Sequence, residues 1–525
     1  MFFLYVLTLL LFFAALCLAV VINIHMFQLN SYKPKTHTKW IFNNLRRNWS
    51  HLLALVIAFV VLLNTIVGLV LINIAFIIFL SKNNNVQAKK PLVYTARVKR
   101  LLACIFVLVV VSSVAMFRMP VSYGYFFICI FYALIPFIVL LANYINMPIE
   151  ASIRKYYIND AKKILKSCPD LIIIGITGSY GKTSVKYYLT TLLKAKYNVL
   201  MTPESYNTPM GVVKTIREQL NATHEIFVCE MGARFRGDIK ELCDLVKPKH
   251  GILTAIGNQH LDTQKTIENI IKTKFELSDA IPEDGLILFN GDNEHIRKNL
   301  PNKKYMTYGL GNNNDFFAKD IAVTQNGTSF LAAKLLAESG EETYESKISV
   351  SDVFQTQLIG EHNVVNLIGA IAMCDYLGVP LDDLRMQIKK ITSVPHRLEL
   401  TKTNGIIIID DSYNSNPFGC KVALKTLAVF EGYKILITPG MVELGDEEDI
   451  SNFNFGKDAG QVCDFVILVG EKQTEHIYKG LMESNFNKDN IFIANGVKEG
   501  FEKAYSIKTE KQKVLLIEND LPDNY

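Results

Sequence analysis

The sequence predicts a mixed α/β protein in three parts. Residues 1–150 read as apolar helices, 151–395 as a mostly parallel α/β domain and 396–525 as a second, Rossmann-like α/β domain. Three observations carry this reading. Half of the 525 residues are hydrophobic, and the excess over a soluble composition lies in the first 150. From about residue 150, short continuous apolar runs alternate with helical periodicity, the pattern of a buried parallel sheet. A new series of such runs begins near 395, and a chain of this length is expected to split into several cores.

In the first part, Met1 to Val21 is almost unbroken apolar chain. It lacks a basic start and a small-residue cleavage site, so an uncleaved anchor is expected rather than a signal peptide. His51–Leu80, Leu101–Phe117 and Val121–Ile145 are three further runs. Each is near or above the ~20 residues that cross a hydrocarbon core, which predicts about four spans and a multi-pass location in the cell membrane.

The connectors are basic. Lys33, Lys35, Lys39, Arg46 and Arg47 follow the first run; Lys82, Lys89, Lys90, Arg97, Lys99 and Arg100 follow the second; Arg154, Lys155, Lys162, Lys163 and Lys166 follow the fourth. The positive-inside rule places all three on the cytoplasmic side, together with the later domains. Simple alternation across four spans cannot do so. Either the run 51–80 turns back near Asn64, or the rule fails at the first connector. Such connectors suit lipid headgroups, or the phosphates of a lipid-linked substrate.

The second part is organised around one loop. Leu171–Ile174 reads as a buried strand and Ser184–Lys194 as a helix, with Gly178, Ser179, Tyr180, Gly181, Lys182, Thr183 and Ser184 forming the turn between them. This is a short G-x-x-G-K-T phosphate loop. Its glycines let backbone N–H groups approach phosphate oxygens, and the helix N-terminus adds partial positive charge. Lys182 reaches the terminal phosphates and Thr183 can ligate Mg²⁺.

Further strands are expected at Ile226–Cys229, Gly251–Ala255 and Leu286–Phe289, with a helix at 262–280. The last domain continues with strands at Gly405–Asp410, Lys434–Thr438, Phe465–Gly470, Asn490–Ala494 and Lys513–Ile517. Chemistry in such sheets gathers at the carboxyl ends of strands. Glu230 ends one strand and reads as a magnesium ligand or as a salt-bridged surface acid. His260 follows the next strand and reads as a site residue or as a structural histidine. Lys274, on the expected helix, is a solvated lysine by any compositional test. The net charge of +5 is small for this length and no nucleic-acid-reading motif occurs. Nine scattered cysteines without a C-x-x-C pair exclude a disulfide framework or zinc site and suit a reducing compartment.

The loop 177–184 resembles that of the Mur ligases, the ATP-dependent amide ligases of bacterial peptidoglycan synthesis. So do Glu-Met-Gly-Ala at 230–233, Ile-Gly-Asn-Gln-His-Leu-Asp at 256–262, Lys-Phe-Glu at 274–276, Asn-Gly-Asp-Asn at 290–293, Gly-Glu-His-Asn at 360–363 with Asn366, and Pro-His-Arg at 395–397. Asp-Asp-Ser-Tyr-Asn-Ser-Asn-Pro at 410–417 and Gly-Met-Val-Glu-Leu-Gly at 440–445 most resemble the branch that adds D-Ala-D-Ala to a UDP-MurNAc-tripeptide. The resemblance implies that ATP converts a muramoyl-peptide carboxylate to an acyl phosphate, which an amine or dipeptide acceptor displaces. It implies catalytic roles for Lys182, His260, Lys274 and Arg397. It implies ATP contacts from 178–184, Asn290, Asn363, Arg397 and Asp411, and Mg²⁺ held by Thr183, Glu230, His260 and a carbamylated Lys274. Asn207, Thr208, Tyr413, Asn414 and Asn416 fall near the phosphates or the amine substrate. Other cell-wall enzymes are expected partners.

Two departures bear on the substrate. Nothing resembles the family's initial nucleotide-sugar domain, whose place the apolar half takes. The chain ends in Glu-Asn-Asp-Leu-Pro-Asp-Asn-Tyr at 518–525 without the Lys-Gly-Ser-Arg of that branch. A ligase of another amide polymer, such as poly-γ-glutamate, and an ATP-binding regulator of cell-wall synthesis are the alternative readings.

Overall fold

The computed structural model describes residues 2–44, 49–83, 91–257, 261–335, 348–403, 405–413, 416–442 and 444–519. The chain divides into two compact units, Met1–Tyr156 and Tyr157–Leu521.

The first unit is helical: α1 (Phe2–Leu29), α2 (Pro34–Asn43), α3 (Trp49–Leu63), α4 (Thr65–Asn83), α5 (Ala96–Phe117), α6 (Val121–Ala133) and α7 (Ile135–Lys166), the last running on into the second unit. Pro136 has no N–H to donate, and the helix ladder is interrupted next to it, between α6 and α7. The run 51–80, counted above as one span, is two helices that meet at Asn64. A Cβ on Gly68 would stand 2.7 Å from the Val61 Cα. Residues seven apart in a straight helix are about 10 Å apart along the axis, so the chain folds back here. Among the described residues, Phe2–Leu29, Thr65–Asn83 and Ile135–Lys166 are long and apolar enough to cross a membrane, by length and composition, and Trp49–Leu63 and Val121–Ala133 are shorter apolar helices. Arg46, Arg47, Lys89 and Lys90 lie outside the described residues.

The second unit contains two sheets. The first takes β1 (Ile172–Thr177), α8 (Lys182–Leu193), β2 (Val199–Met201), α9 (Pro209–Gln219), β3 (Ile226–Glu230), α10 (Asp238–Val246), β4 (His250–Leu253), α11 (Leu261–Gln264), α12 (Ile267–Ala280), β5 (Leu286–Asn290), α13 (Glu294–Arg297), β6 (Tyr305–Gly309), β7 (Phe316–Thr324), β8 (Gly327–Leu335), β9 (Ile348–Thr356), α14 (Glu361–Tyr376) and α15 (Leu381–Ile388). Its strand order is β2-β3-β1-β4-β5-β6-β7-β8-β9, parallel as far as β7 and antiparallel across β7-β8-β9. The continuous apolar runs are buried because helices cover both faces. Ile174 and Ile176 pack into the layer of α8 and α14, while Ile173, one residue out of phase, packs into that of α9, α10 and α12.

The second sheet takes β10 (Glu399–Thr403), β11 (Ile406–Asp411), α16 (Pro417–Ala428), β12 (Tyr433–Thr438), α17 (Glu448–Val462), β13 (Phe465–Val469), α18 (Glu475–Glu483), β14 (Ile491–Ala494), α19 (Val497–Ser506) and β15 (Lys513–Glu518). Its order is β10-β11-β15-β12-β13-β14, parallel except for β10. The expected strands are present at both sheets. The expected helix 262–280 is instead two helices. Lys265 sits at φ +69°, and the Thr266 hydroxyl accepts from Asn269 N to start α12 afresh.

Candidate active site

The loop between β1 and α8 is the centre of the site. Gly181 is left-handed, at φ +80°, and a Cβ there would stand 2.7 Å from Asn366 Oδ1 on α14. Glycine is therefore required for both conformation and space. The loop is fastened to the chain after β4. Ser179 N donates to Ala255 O at 2.7 Å, the Ser179 hydroxyl bonds the Gly257 backbone at 3.1 Å, and the Thr254 hydroxyl donates to Tyr180 O. Lys182 begins α8, and its Nζ donates to the carbonyls of Gly178 and Ser179 at 2.7 and 3.0 Å. Burial, with Arg397 adding to it against Glu230, brings the Lys182 pKa down to about 8.

Glu230 ends β3 one strand away and is buried. Its Oε1 accepts from the Thr183 hydroxyl at 3.3 Å and from Asn207 Nδ2 at 3.0 Å. Its Oε2 lies 3.0 Å from Lys186 Nζ, and both side chains are enclosed. Burial pushes the Glu230 carboxyl up, but Lys186 and Lys182 outweigh it and hold the pKa below the usual value. Glu230 is thus both the salt-bridged acid and the neighbour of the loop threonine. Lys186 escaped the sequence reading. Its signal was position: it stands one turn after Lys182 on α8 and shares that face.

Lys274 is buried on α12, not solvated. Ile270, Thr273, Lys274 and Leu277 form the helix's buried stripe at i, i+3, i+4 and i+7. Gly175 in β1 makes room for this packing, since a Cβ there would stand 2.8 Å from the Leu277 side chain. Burial, reinforced by the Lys182 charge, lowers the Lys274 pKa to about 7. His260 lies outside the described residues, as does Asn414.

From the last sheet, α16 comes up to the loop. The Tyr180 ring stacks on Phe418 at 5.5 Å and 14°, and the Tyr413 hydroxyl donates to Ser205 Oγ at 3.1 Å. The Arg397 guanidinium stands over the Tyr413 ring at 5.3 Å. Arg397 follows His396, at φ +60°, and Asp411 fixes that turn by accepting from Leu398 N at 3.1 Å. Burial raises the Asp411 pKa to about 6, against Arg397. Several other expected contacts serve the framework. Asn290 Nδ2 donates to Thr254 O and its Oδ1 accepts from Asp292 N. Asn363 accepts from the Tyr188 hydroxyl and donates to Ile359 O. Thr208 and Asn416 accept from the backbone N–H groups that open α9 and α16.

The arrangement can hold a polyphosphate at the loop with oxygen donors and three lysines around it. Comparison with known proteins identifies it. Residues 176–374 match the Mur ligase middle domain, and 396–518 match the Mur ligase, glutamate ligase domain. The UDP-N-acetylmuramoyl-tripeptide--D-alanyl-D-alanine ligase of Bacillus subtilis (strain 168) is 31% identical over 347 residues, covering 65% of this chain and 69% of its own length.

The chain belongs to the Mur ligase family.

The ligase of the same name from Escherichia coli (strain K12) is 29% identical, over 57% of this chain and 65% of its own length. The structure of MurF ligase from Thermotoga maritima in complex with ADP superposes with a TM-score of 0.59 at 25% identity, over 70% of this chain and 80% of that one. This Mur ligase is accordingly an ATP-dependent enzyme that forms carbon–nitrogen bonds.

Proposed function

We propose that this Mur ligase is anchored in the cell membrane of a bacterium. There it adds D-Ala-D-Ala, or a related amine, to the carboxylate of a muramoyl-peptide on the cytoplasmic side. The observation that carries the reading is the meeting of Lys182, Thr183 and Glu230 at the glycine loop. The curated relatives named above are D-Ala-D-Ala ligases, which supports the acceptor. We take the parts to be 1–150 for the membrane, 151–395 for ATP and 396–525 for closure over it.

The chemistry is a two-step displacement. A carboxylate oxygen attacks the γ-phosphorus of ATP, and ADP leaves. The amine nitrogen then attacks the acyl carbon and loses its proton as phosphate departs. Negative charge spreads over the phosphoryl oxygens, so the loop N–H groups, Lys182 and Arg397 do the work, each contact contributing several kcal/mol. Gly181, left-handed and without a Cβ, leaves the loop backbone open to phosphate oxygens. The hydroxyl of Thr183 and the carboxylate of Glu230 are hard oxygen donors that fit Mg²⁺, with His260 and a carbamate on Lys274 completing the set. Magnesium there supplies positive charge against the phosphoryl oxygens. Lys186 keeps Glu230 ionised and pointed at Thr183.

Phosphate release by the purified full-length protein tests this, with UDP-MurNAc-tripeptide and a panel of amino-acid and dipeptide acceptors. Turnover dependent on D-Ala-D-Ala and lost in a folded Lys182→Ala variant is expected. Turnover with glutamate alone would transfer the reading to another amide polymer. A normal rate in Lys182→Ala would remove the nucleotide site from this loop.

A further inference from the structure

We infer that Lys186 is a positioning residue that serves two parts of the site at once. It fixes the carboxylate of Glu230 beside the phosphate loop, and it holds the segment Thr202–Thr208 in the shape that presents Asn207 to the amine acceptor. This rests on the ligase site proposed above and adds the residue that couples its nucleotide side to its acceptor side.

Helix periodicity places Lys186 for this. It follows Thr183 by three residues and Lys182 by four on α8, so the three share a face. Its side chain is fully enclosed. A buried ammonium needs acceptors for its protons, and Lys186 Nζ has two of different kinds. One is Glu230 Oε2, at 3.0 Å. The other is the carbonyl of Glu204, which accepts directly from Nζ. Glu204 belongs to neither the phosphate loop nor β3, but to the chain between β2 and α9.

The Glu204 carbonyl is available to Lys186 because the backbone turns sharply there. Tyr206 N donates to Pro203 O at 2.9 Å and closes a tight turn. Glu204, the second residue of that turn, stands at φ +42°, where glycine is the favoured residue. Its side chain is exposed, so the strained conformation is held through the backbone, at the carbonyl that meets the ammonium.

The turn decides where the rest of the segment lies. Its start is pinned to β3: Thr202 N donates to Val228 O at 3.1 Å, and the Thr202 hydroxyl accepts from Glu230 N at 3.1 Å. Asn207 follows the turn. Asn207 N donates to Ser205 O at 2.8 Å, Asn207 O accepts from Gly232 N at 2.8 Å, and Nδ2 donates to Glu230 Oε1 at 3.0 Å. Glu230 thus takes Lys186 on one oxygen and Asn207 on the other. A Cβ on Gly232 would stand 2.7 Å from the Asn207 side chain, so the asparagine is closely packed. Ser205 Oγ accepts from the Tyr413 hydroxyl of the last domain at 3.1 Å. The segment runs between Glu230 and Tyr413, and Lys186 ties it to the nucleotide side.

Hydrogen exchange over 203–208, read by mass spectrometry on the full-length protein in detergent, tests this together with ligation kinetics. Lys186→Met keeps the length of the side chain and removes the ammonium. It is expected to lose protection at Tyr206 and Asn207 and to raise the KM for D-Ala-D-Ala about tenfold, the size of one lost charge-assisted hydrogen bond. ATP affinity falls as well. Adding Glu204→Gly, which relaxes the turn, is expected to restore the protection and the acceptor KM but not the ATP affinity, because Glu230 still lacks its cation. A role in packing alone would lower thermal stability without this split. A folded Lys186→Met with unchanged protection and acceptor KM, or a double variant that restores neither, would overturn the coupling. The wild-type chain gives a reading that needs no variant. With ADP bound, added Mg²⁺ brings a second cation to Glu230 and drives the ammonium toward the Glu204 carbonyl, so exchange over 203–208 is expected to slow; exchange indifferent to Mg²⁺ would overturn the coupling too. Exchange decides the role of Lys186 even where turnover with D-Ala-D-Ala is absent, an outcome that overturns only the acceptor named above.

Discussion

Lys274 shows how burial changes what a side chain can do. A lysine inside the apolar stripe of α12 is held with its pKa near 7, by burial first and by the Lys182 charge second. Below that pH it carries a proton; above it the amine is neutral, and only the neutral amine adds CO₂ to become a carbamate. The change converts a cation that repels Mg²⁺ into an oxygen ligand that binds it. Lys274→Ala is therefore expected to be inactive and partly rescued by short carboxylic acids, while Lys274→Arg is dead and stays so. Carbon-13 bicarbonate should give a carbamate resonance that Lys274→Ala lacks. Full activity of the wild-type enzyme in bicarbonate-free buffer, with an unmodified intact mass, would reject the carbamate.

Helix α8 illustrates the element scale. It starts at a left-handed glycine, which lets Lys182 and Thr183 occupy its first turn while the loop stays close to β4. Its next turn supplies Lys186, which meets Glu230 from β3. Loop, helix and neighbouring strand are thus one device, and Gly181 is its hinge point. Gly181→Ala places a side chain in a left-handed conformation, which costs about 1–2 kcal/mol, and adds the clash with Asn366. Thermal unfolding should register that loss. ATP affinity, measured by titration with a fluorescent nucleotide, should fall by about tenfold or more as the loop backbone moves off its phosphate-binding geometry, a change equivalent to about 1.4 kcal/mol. Unchanged affinity and stability would mean that the loop tolerates a Cβ and that phosphate does not sit against it.

At the scale of the whole molecule, the two units carry different surfaces. The N-terminal unit exposes apolar side chains along its helices, whereas large apolar residues exposed in the second unit, such as Phe235, Ile450 and Val497, are scattered. The basic connectors of the N-terminal unit have the charge to attract lipid headgroups or the phosphates of a substrate. Each Lys or Arg near an anionic surface contributes about 1 kcal/mol. A chain starting at Ser152 keeps Tyr157, Ile158 and Ala161, which pack into the core of the second unit. It should leave the membrane fraction, retain weak ATP binding and lose most ligation of the muramoyl-peptide. Ligation equal to that of the full-length protein in detergent would make the helices an anchor alone.

The sequence by itself determined the parallel sheets and the phosphate loop, because both rest on local patterns: continuous apolar runs buried on two faces, and a glycine turn whose chemistry needs no partner. It also carried the order of the family's motifs. It did not determine Lys186 or the burial of Lys274, since a lysine on a helix looks solvated until the opposing strand is placed. Nor did it reveal the antiparallel strands β7–β9, whose runs are short and mixed in polarity. The break of 51–80 at Asn64 was legible only as one of two alternatives. Tertiary packing decided between them, because an asparagine inside an apolar run turns the chain only where another helix face, here Gly68 against Val61, receives the returning one.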